Sequence, residues 1–350
     1  MRLRDITVLI LILCAPSLWA TDEGAGDPFA FMTIGVGARA TAIGGAFVSI
    51  ADDPSANYFN PAGISFIPQK RSIILMGVQP DEKSDDPTAE GSAGHHNYIS
   101  GTLKTPLVNI GLSYNRFSIG GIEFTRKIND YEFAVIGGGK DIEQDFTLSL
   151  AKAFSPWRTA EWIGFGVSGR MITQEFFGFK GTAYRVDFGS LVQVGQLTIK
   201  NRTLFDRIRL GGSVFYNDTR GWKPTSDRER FADATKPDPD PWLSGFQWGI
   251  SADKAFKPIQ FTVALALINR KKGSPPEIAG GLEIWLLDRF LAVRAGVENV
   301  RLAKRKSTVD PQNRLTLGFG VKPTQALQLD YSLSNEQLAT KHRFSLIVNF

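Results

Sequence analysis

The chain has 350 residues, with 40 Lys plus Arg against 35 Asp plus Glu and a formal net charge of +5. Spread over that length, the excess is ordinary surface charge and argues against a nucleic-acid partner. Cys14 is the single cysteine, which excludes a disulfide framework or a cysteine metal site.

Residues 1–20 read as a secretory signal. Arg2 and Arg4 precede an apolar stretch from Ile6 to Cys14, and Ala15, Pro16, Ser17 and Ala20 lead to a cut after Ala20. A lipoprotein signal is the alternative, but it wants a small residue before the cysteine and Leu13 stands there. Removal of Arg2, Arg4 and Asp5 with the signal leaves a net charge of +4. After the signal the longest apolar run, residues 263–268, falls far short of the ~20 residues of a spanning helix. A helical membrane protein is excluded, and a membrane β-barrel is not.

Within the N-terminal segment 21–69, residues 27–68 do not alternate in polarity. They are rich in small residues, with Gly35, Gly37, Ala38, Arg39, Gly44 and Gly45, then Asp52 and Asp53, then Asn60-Pro61-Ala62-Gly63. The pattern predicts a short helix over 40–50, ended near Asp53-Pro54, and a turn at Asn60-Pro61. So few large apolar groups cannot form a core alone. The segment is therefore expected to pack as a plug inside a polar lumen built by residues 70–350. Gly35-x-Gly37 lacks the third glycine, the preceding strand and the Gly-Lys-Ser/Thr of a nucleotide loop.

From Arg71 onward the sequence divides into segments of about 9–12 residues with a two-residue period, as barrel strands require. They fall at 71–79, 96–104, 107–117, 144–153, 162–174, 182–192, 207–217, 244–254, 259–269, 277–287, 290–300, 313–321, 326–334 and 341–350. Fourteen segments, 70–350, predict an all-β, transmembrane antiparallel barrel with the N-terminal plug in its lumen. Short links (105–106, 256–258, 288–289, 322–324) alternate with longer polar ones (80–95, 118–143, 218–243, 270–276, 301–312, 335–340). Short periplasmic turns and long outer loops give that alternation. Residues 194–206 are long for a short turn, and 130–138 read as strand-like within a loop.

The phase assigns faces. Phe344, Leu346, Val348 and Phe350 fall on the lipid side of the last segment. The inward side carries Arg170, Arg185, Asp187, Arg209, Asp253, Glu283, Arg294, Glu298 and Asp330. Charges of both signs on a shared interior must be hydrated or paired, which favours a polar lumen partly filled by protein. Trp162, Trp242, Trp285 and Tyr98 stand near strand ends, where an interfacial girdle is expected.

At these motifs the chain resembles the PorV/PorQ-type outer-membrane proteins of the FadL-like (OmpP1) superfamily. The residues that carry the resemblance are Gly-x-Gly-Ala-Arg-Ala from Gly35, Gly-Gly-Ala-Phe from Gly44, Ala51-Asp52-Asp53 and the aromatic followed by Asn60-Pro61-Ala62-Gly63. The terminal His342-Arg343-Phe344 to Phe350 is similar as well. The resemblance implies a fourteen-stranded bacterial outer-membrane barrel with an N-terminal hatch, and a last strand read by the barrel-assembly machinery. It implies one of two roles. FadL-type members move small hydrophobic molecules, whereas PorV-type members bind secreted protein cargo for type IX secretion. A structural role is a third possibility.

Enzyme chemistry finds little support. No Gly-x-Ser-x-Gly elbow is present, and no cofactor is implied. His95 and His96 read as solvated loop residues, because adjacent side chains on an extended strand point apart and no acidic or cysteine partner lies near. The charged, proline-rich stretch 218–243 reads as a solvated loop.

Overall fold

The computed structural model describes residues 34–82, 94–129, 132–155, 162–176, 178–199, 202–224, 245–269, 276–301, 314–335 and 339–350. The signal (1–20), residues 21–33 of the expected plug and Trp242 lie outside these residues.

Sixteen strands come after the plug: β1 (Arg71–Glu82), β2 (His95–Leu103), β3 (Asn109–Asn129), β4 (Glu132–Phe154), β5 (Trp162–Phe176), β6 (Phe179–Val194), β7 (Leu197–Ile199) and β8 (Arg202–Phe205). Then come β9 (Arg207–Pro224), β10 (Gly245–Phe256), β11 (Ile259–Asn269), β12 (Glu277–Leu286), β13 (Leu291–Arg301), β14 (Arg314–Thr324), β15 (Leu327–Asn335) and β16 (Ala339–Asn349). All but β7 and β8 form one closed antiparallel barrel of fourteen strands. Closure runs from Ser72↔Asn349 to Glu82↔Ala339 between β1 and β16, so the barrel has no free seam.

The outward face is apolar. Leu317, Phe319, Leu329, Phe344, Leu265, Val263, Phe188, Val167 and Leu148 are all exposed, while the sequence neighbours Thr316, Asp330, Ser345, Asp187, Ser168 and Ser149 are buried inward. A soluble protein does not present such a belt around its whole girth. It is a lipid face, and the barrel spans a membrane.

Four expectations need correction. Residues 118–143 are not a loop: β3 and β4 pair on to Asn129↔Glu132. Glycines 120–121 and 137–139 erase the two-residue pattern there, but backbone pairing does not need side-chain alternation. The stretch 218–243 begins as strand, since β9 continues to Pro224, and residues 225–244 lie outside the described residues. Residues 194–206 fold as a small hairpin of β7 and β8. Finally, Trp285 and Tyr98 are not girdle residues. Both are buried, because they share the inward phase of Glu283 and Ser100. Trp162 is exposed at a strand end, as a girdle residue would be.

Residues 34–69 lie within the barrel. Helix α1 (Ala38–Ala42) is shorter than the predicted 40–50 helix and begins earlier. It stops at Gly44 and Gly45, both of positive φ, a backbone that side chains rarely adopt. Helix α2 (Ala56–Phe59) comes next, and Asn60 then caps a 3-10 helix over Pro61–Phe66 by accepting from Ala62 N.

Candidate functional site: the interface between plug and wall

Arg39 of α1 is the hub of the larger of two buried charge networks. Its Nε and Nη2 donate to both oxygens of Glu283 on β12 (2.8 and 2.9 Å), and its Nη1 donates to Asp52 at 2.6 Å. Asp53 lies 3.4 Å from the same nitrogen. Arg209 on β9 joins Asp52 (3.1 Å) to Asp253 on β10 (3.0 Å), and Arg207 also pairs with Asp253. Arg294 on β13 reaches Glu283 at 2.7 Å and Asp330 on β15 at 2.8 Å. Bidentate guanidinium–carboxylate geometry of this kind is the strongest form of charged hydrogen bond.

Within this network Arg39, Arg207, Arg209 and Arg294 face Asp52, Asp53, Asp253, Glu283 and Asp330, one carboxyl more than there are guanidiniums. The two plug carboxyls respond oppositely. Burial alone would raise Asp52, but the guanidiniums of Arg39, Arg209 and Arg207 outweigh it and hold that group below the usual carboxylate range. For Asp53 burial prevails over Arg39 and Ser55, and the group is pushed up.

The second network lies on the adjoining arc, β4 to β6, next to β9. Arg170 of β5 binds Asp187 of β6 (2.6 Å) and Asp145 of β4 (3.0 Å), and Arg185 also pairs with Asp187. The remaining nitrogen of Arg170 donates to the backbone oxygens of Asn57 and Tyr58 at 2.7 and 3.0 Å. That clamps α2 to the wall by carbonyls that the helix itself leaves unused.

Backbone contact completes the fit. Asn60 Nδ2 bridges Val48 O and Ser190 O, both at 2.9 Å. Pro61 and Ala62 press on wall glycines: a β-carbon at Gly166 would lie 2.5 Å from Ala62 N, and one at Gly189 2.2 Å from Asn60 Oδ1. On β9, next to β6, one at Gly211 would meet Val48 O at 2.3 Å, and on β13 across the barrel one at Gly296 would meet Gly44 N at 2.2 Å. Gly63 is as tightly seated against Ala51. Gly35 and Gly37 have positive φ, Gly37 donates its N–H to Met76 Sδ (2.9 Å), and Ala38 donates to Ser345 Oγ (3.3 Å).

All nine charges assigned inward from the sequence are buried inside the barrel. Seven of them (Arg170, Arg185, Asp187, Arg209, Asp253, Glu283, Arg294) and Asp330 belong to the two networks, and Glu298 pairs apart from them, with Arg314 at 3.2 Å. On β16, Phe344 and Phe350 are exposed, and Leu346 and Val348 are half-buried in the same phase. Two expectations about histidine are corrected. His96 is buried inside the barrel, with Nε2 2.6 Å from Asn115 Oδ1, and His95 starts β2 instead of lying in a loop.

Sequence reasoning missed Asp145, and it missed a third sector of the interface. On β1, β2 and β16 the inward residues Ile74, Met76, Val78, Tyr98 and Ile347 form one apolar cluster with Val36, Ala40 and Phe47 of the plug. Polar contacts flank the cluster: Arg343 of β16 donates to Ile34 O (3.2 Å), and Asn57 Nδ2 donates to Ser100 Oγ of β2 (2.6 Å). The signal was present: Ile73-Ile74-Leu75-Met76 and Leu346-Ile347-Val348 are apolar on both faces, as strands buried from both sides are. Outside this sector lies an apolar groove of about 750 Å³ that passes over Gly77 and Asn97, between Tyr114, Phe319, Tyr331 and Phe344.

These features define a membrane β-barrel of fourteen strands whose lumen holds its own N-terminal segment. No family model matches the sequence, and no curated protein matches it. Solved structures match its fold. The chain is similar to the deltaS2S3 mutant of the TodX monoaromatic hydrocarbon channel (TM-score 0.53, 11% identity, covering 90% of this chain and 99% of that one). It is also similar to the Ralstonia pickettii toluene transporter TbuX (TM-score 0.52, 10% identity, 90% and 98%). A third is the CymD monoaromatic hydrocarbon channel (TM-score 0.51, 10% identity, 91% and 98%). At these identities the likeness is one of fold.

Proposed function

We propose that this protein lies in the bacterial outer membrane and passes small hydrophobic or amphipathic molecules along the apolar seam between its plug and strands β16, β1 and β2. The seam carries the reading. It is the sector where apolar side chains of plug and wall meet, with the buried Arg343 to one side, whereas elsewhere a hydrophobic solute would have to separate paired charges that are costly to unpair. The groove over Gly77 lies on the outer side of the same strands, so the wall is lined by apolar groups on both faces there. The fold shared with hydrocarbon channels over nine-tenths of the chain supports the same substrate class. The plug acts as a hatch in this reading, held by its charged sectors while its apolar side yields.

The test is uptake of radiolabelled toluene by cells that carry the barrel in the outer membrane, compared with cells that lack it. Faster uptake with the barrel is expected, and equal uptake would sink the reading.

A second reading, a PorV-like role in protein secretion or surface display, draws on the β3–β4 hairpin. It continues past the last pairing with β2 (His95↔Ser118) and past the last pairing with β5 (Asp141↔Phe176). Such a projection suits a protein partner. It predicts an exported protein that co-purifies with the intact barrel and is lost when residues 119–140 are shortened.

A further inference from the structure

The strand ends that carry the short turns gather basic side chains. Lys70, Arg71, Lys257 and Arg289 are exposed there, and Lys104 is half-buried. Among the described residues none of these five makes an ion pair. Two other cations at this end are turned back onto the protein. Lys152 Nζ donates to Pro106 O (2.6 Å), and Lys254 Nζ donates to Thr203 O (2.8 Å) and lies 3.4 Å from Asp206. Among the described side chains, the acids at this rim are the exposed Asp288 and the half-buried Asp206, and Phe350, whose N–H donates to Arg71 O (2.9 Å), adds its α-carboxylate. Asp206 is further occupied by the N–H of Ala255 at 2.7 Å, a bond that holds its carboxyl below the usual range.

Large apolar side chains stand between these cations. Leu107 is 85% exposed, Phe350 67% and Phe256 59%, and Phe154 and Phe290 are exposed as well. They continue the lipid belt to the edge of the barrel. Long basic side chains beside a lipid-facing apolar rim place their charge at headgroup depth.

We propose that this rim binds anionic phospholipid headgroups of the leaflet that faces the short turns. The phosphodiester is the ligand and the cations without a carboxylate partner are its site. The inference rests on the membrane reading above, in which that leaflet is the periplasmic one. The belt supplies the acyl-chain contact, and the rim supplies a positive field that zwitterionic lipid does not satisfy. A single Lys or Arg near an anionic surface corresponds to roughly a five-fold preference.

The test uses the purified barrel reconstituted in phosphatidylcholine bilayers containing spin-labelled phosphatidylglycerol or spin-labelled phosphatidylcholine. The motionally restricted fraction of each label gives the relative association. Phosphatidylglycerol should associate about five-fold more strongly with the wild type. Combined Lys70→Gln, Arg71→Gln, Lys104→Gln and Lys257→Gln should bring the ratio near parity, and Arg116→Gln with Lys180→Gln at the other end should not. Equal restriction of both labels by the wild type overturns the lipid site and leaves an acidic protein as the occupant of the rim. A preference lost equally through Arg116 and Lys180 overturns its location. If neither label is restricted, the barrel is not in the bilayer, and the membrane reading fails with it.

Discussion

The two sides of the plug are built on opposite principles. Toward β4–β6 and β9–β15 the wall holds it with guanidiniums, carboxylates and glycines pressed against its backbone. Toward β16, β1 and β2 it rests mainly on Ile74, Met76, Val78, Tyr98 and Ile347, with hydrogen bonds from Arg343 to Ile34 O and from Asn57 to Ser100. Charge pairs are directional and lose most of their worth when separated by a small displacement, whereas apolar contact is non-directional and tolerates sliding. A plug held mainly by charge on one side and mainly by apolar packing on the other yields first on the apolar side.

The largest effect tests the fixed side. Arg39→Met strands Glu283 and Asp52 without their cation and should cost about 3–5 kcal/mol, the scale for breaking one partner out of a buried ion pair. Arg170→Met should act similarly on the other arc. A urea unfolding series on the refolded barrel reads both, and a loss near zero would mean that the networks hold nothing. Next in size is the lipid face. Leu317→Arg or Leu329→Arg should cost about 2–4 kcal/mol if the residue lies near the midplane, and unchanged folding in lipid would overturn the assigned outward face.

Gly211→Val tests the backbone contact. Its side chain must displace Val48 O or be displaced, and overpacking of this kind costs about 1–3 kcal/mol. The smallest effect separates the two plug acids. Asp53→Asn should cost at most about 1 kcal/mol, because burial already favours the uncharged form there and the amide oxygen can still accept from Ser55. Asp52→Asn should cost clearly more. Their pH dependences have opposite signs. The lowered Asp52 contributes stability that is present above the usual carboxylate range and lost as pH falls through its depressed value. The raised Asp53 does the reverse, contributing most at low pH. Denaturation midpoints of the two variants across acid pH should therefore diverge in opposite directions from the wild type.

Much of this was legible in the sequence, for identifiable reasons. Lipid outside and polar lumen inside force a two-residue period, so the fourteen wall segments and the inward charges could be read from phase alone. What could not be read was which charge meets which. Arg39 and Glu283 are 244 residues apart, and only closure of the barrel brings them together. Trp285 and Tyr98 stand near strand ends but share the inward phase of their strands, and phase decides which face a strand residue takes. The β3–β4 extension was hidden because glycines carry no polarity to alternate. The apolar seam left a signal, since Ile74 and Ile347 interrupt the alternation. That signal reads as burial on both faces only once a plug is known to stand behind the wall.

The most direct measurement of the central claim is toluene uptake by Met76→Lys compared with Met76→Leu and the wild type, at equal amounts of folded barrel judged by heat-modifiable gel mobility. A cation placed in the seam should bring uptake down to that of cells without the protein, while the isosteric leucine preserves it. Uptake by Met76→Lys equal to the wild type would contradict a path along β16, β1 and β2.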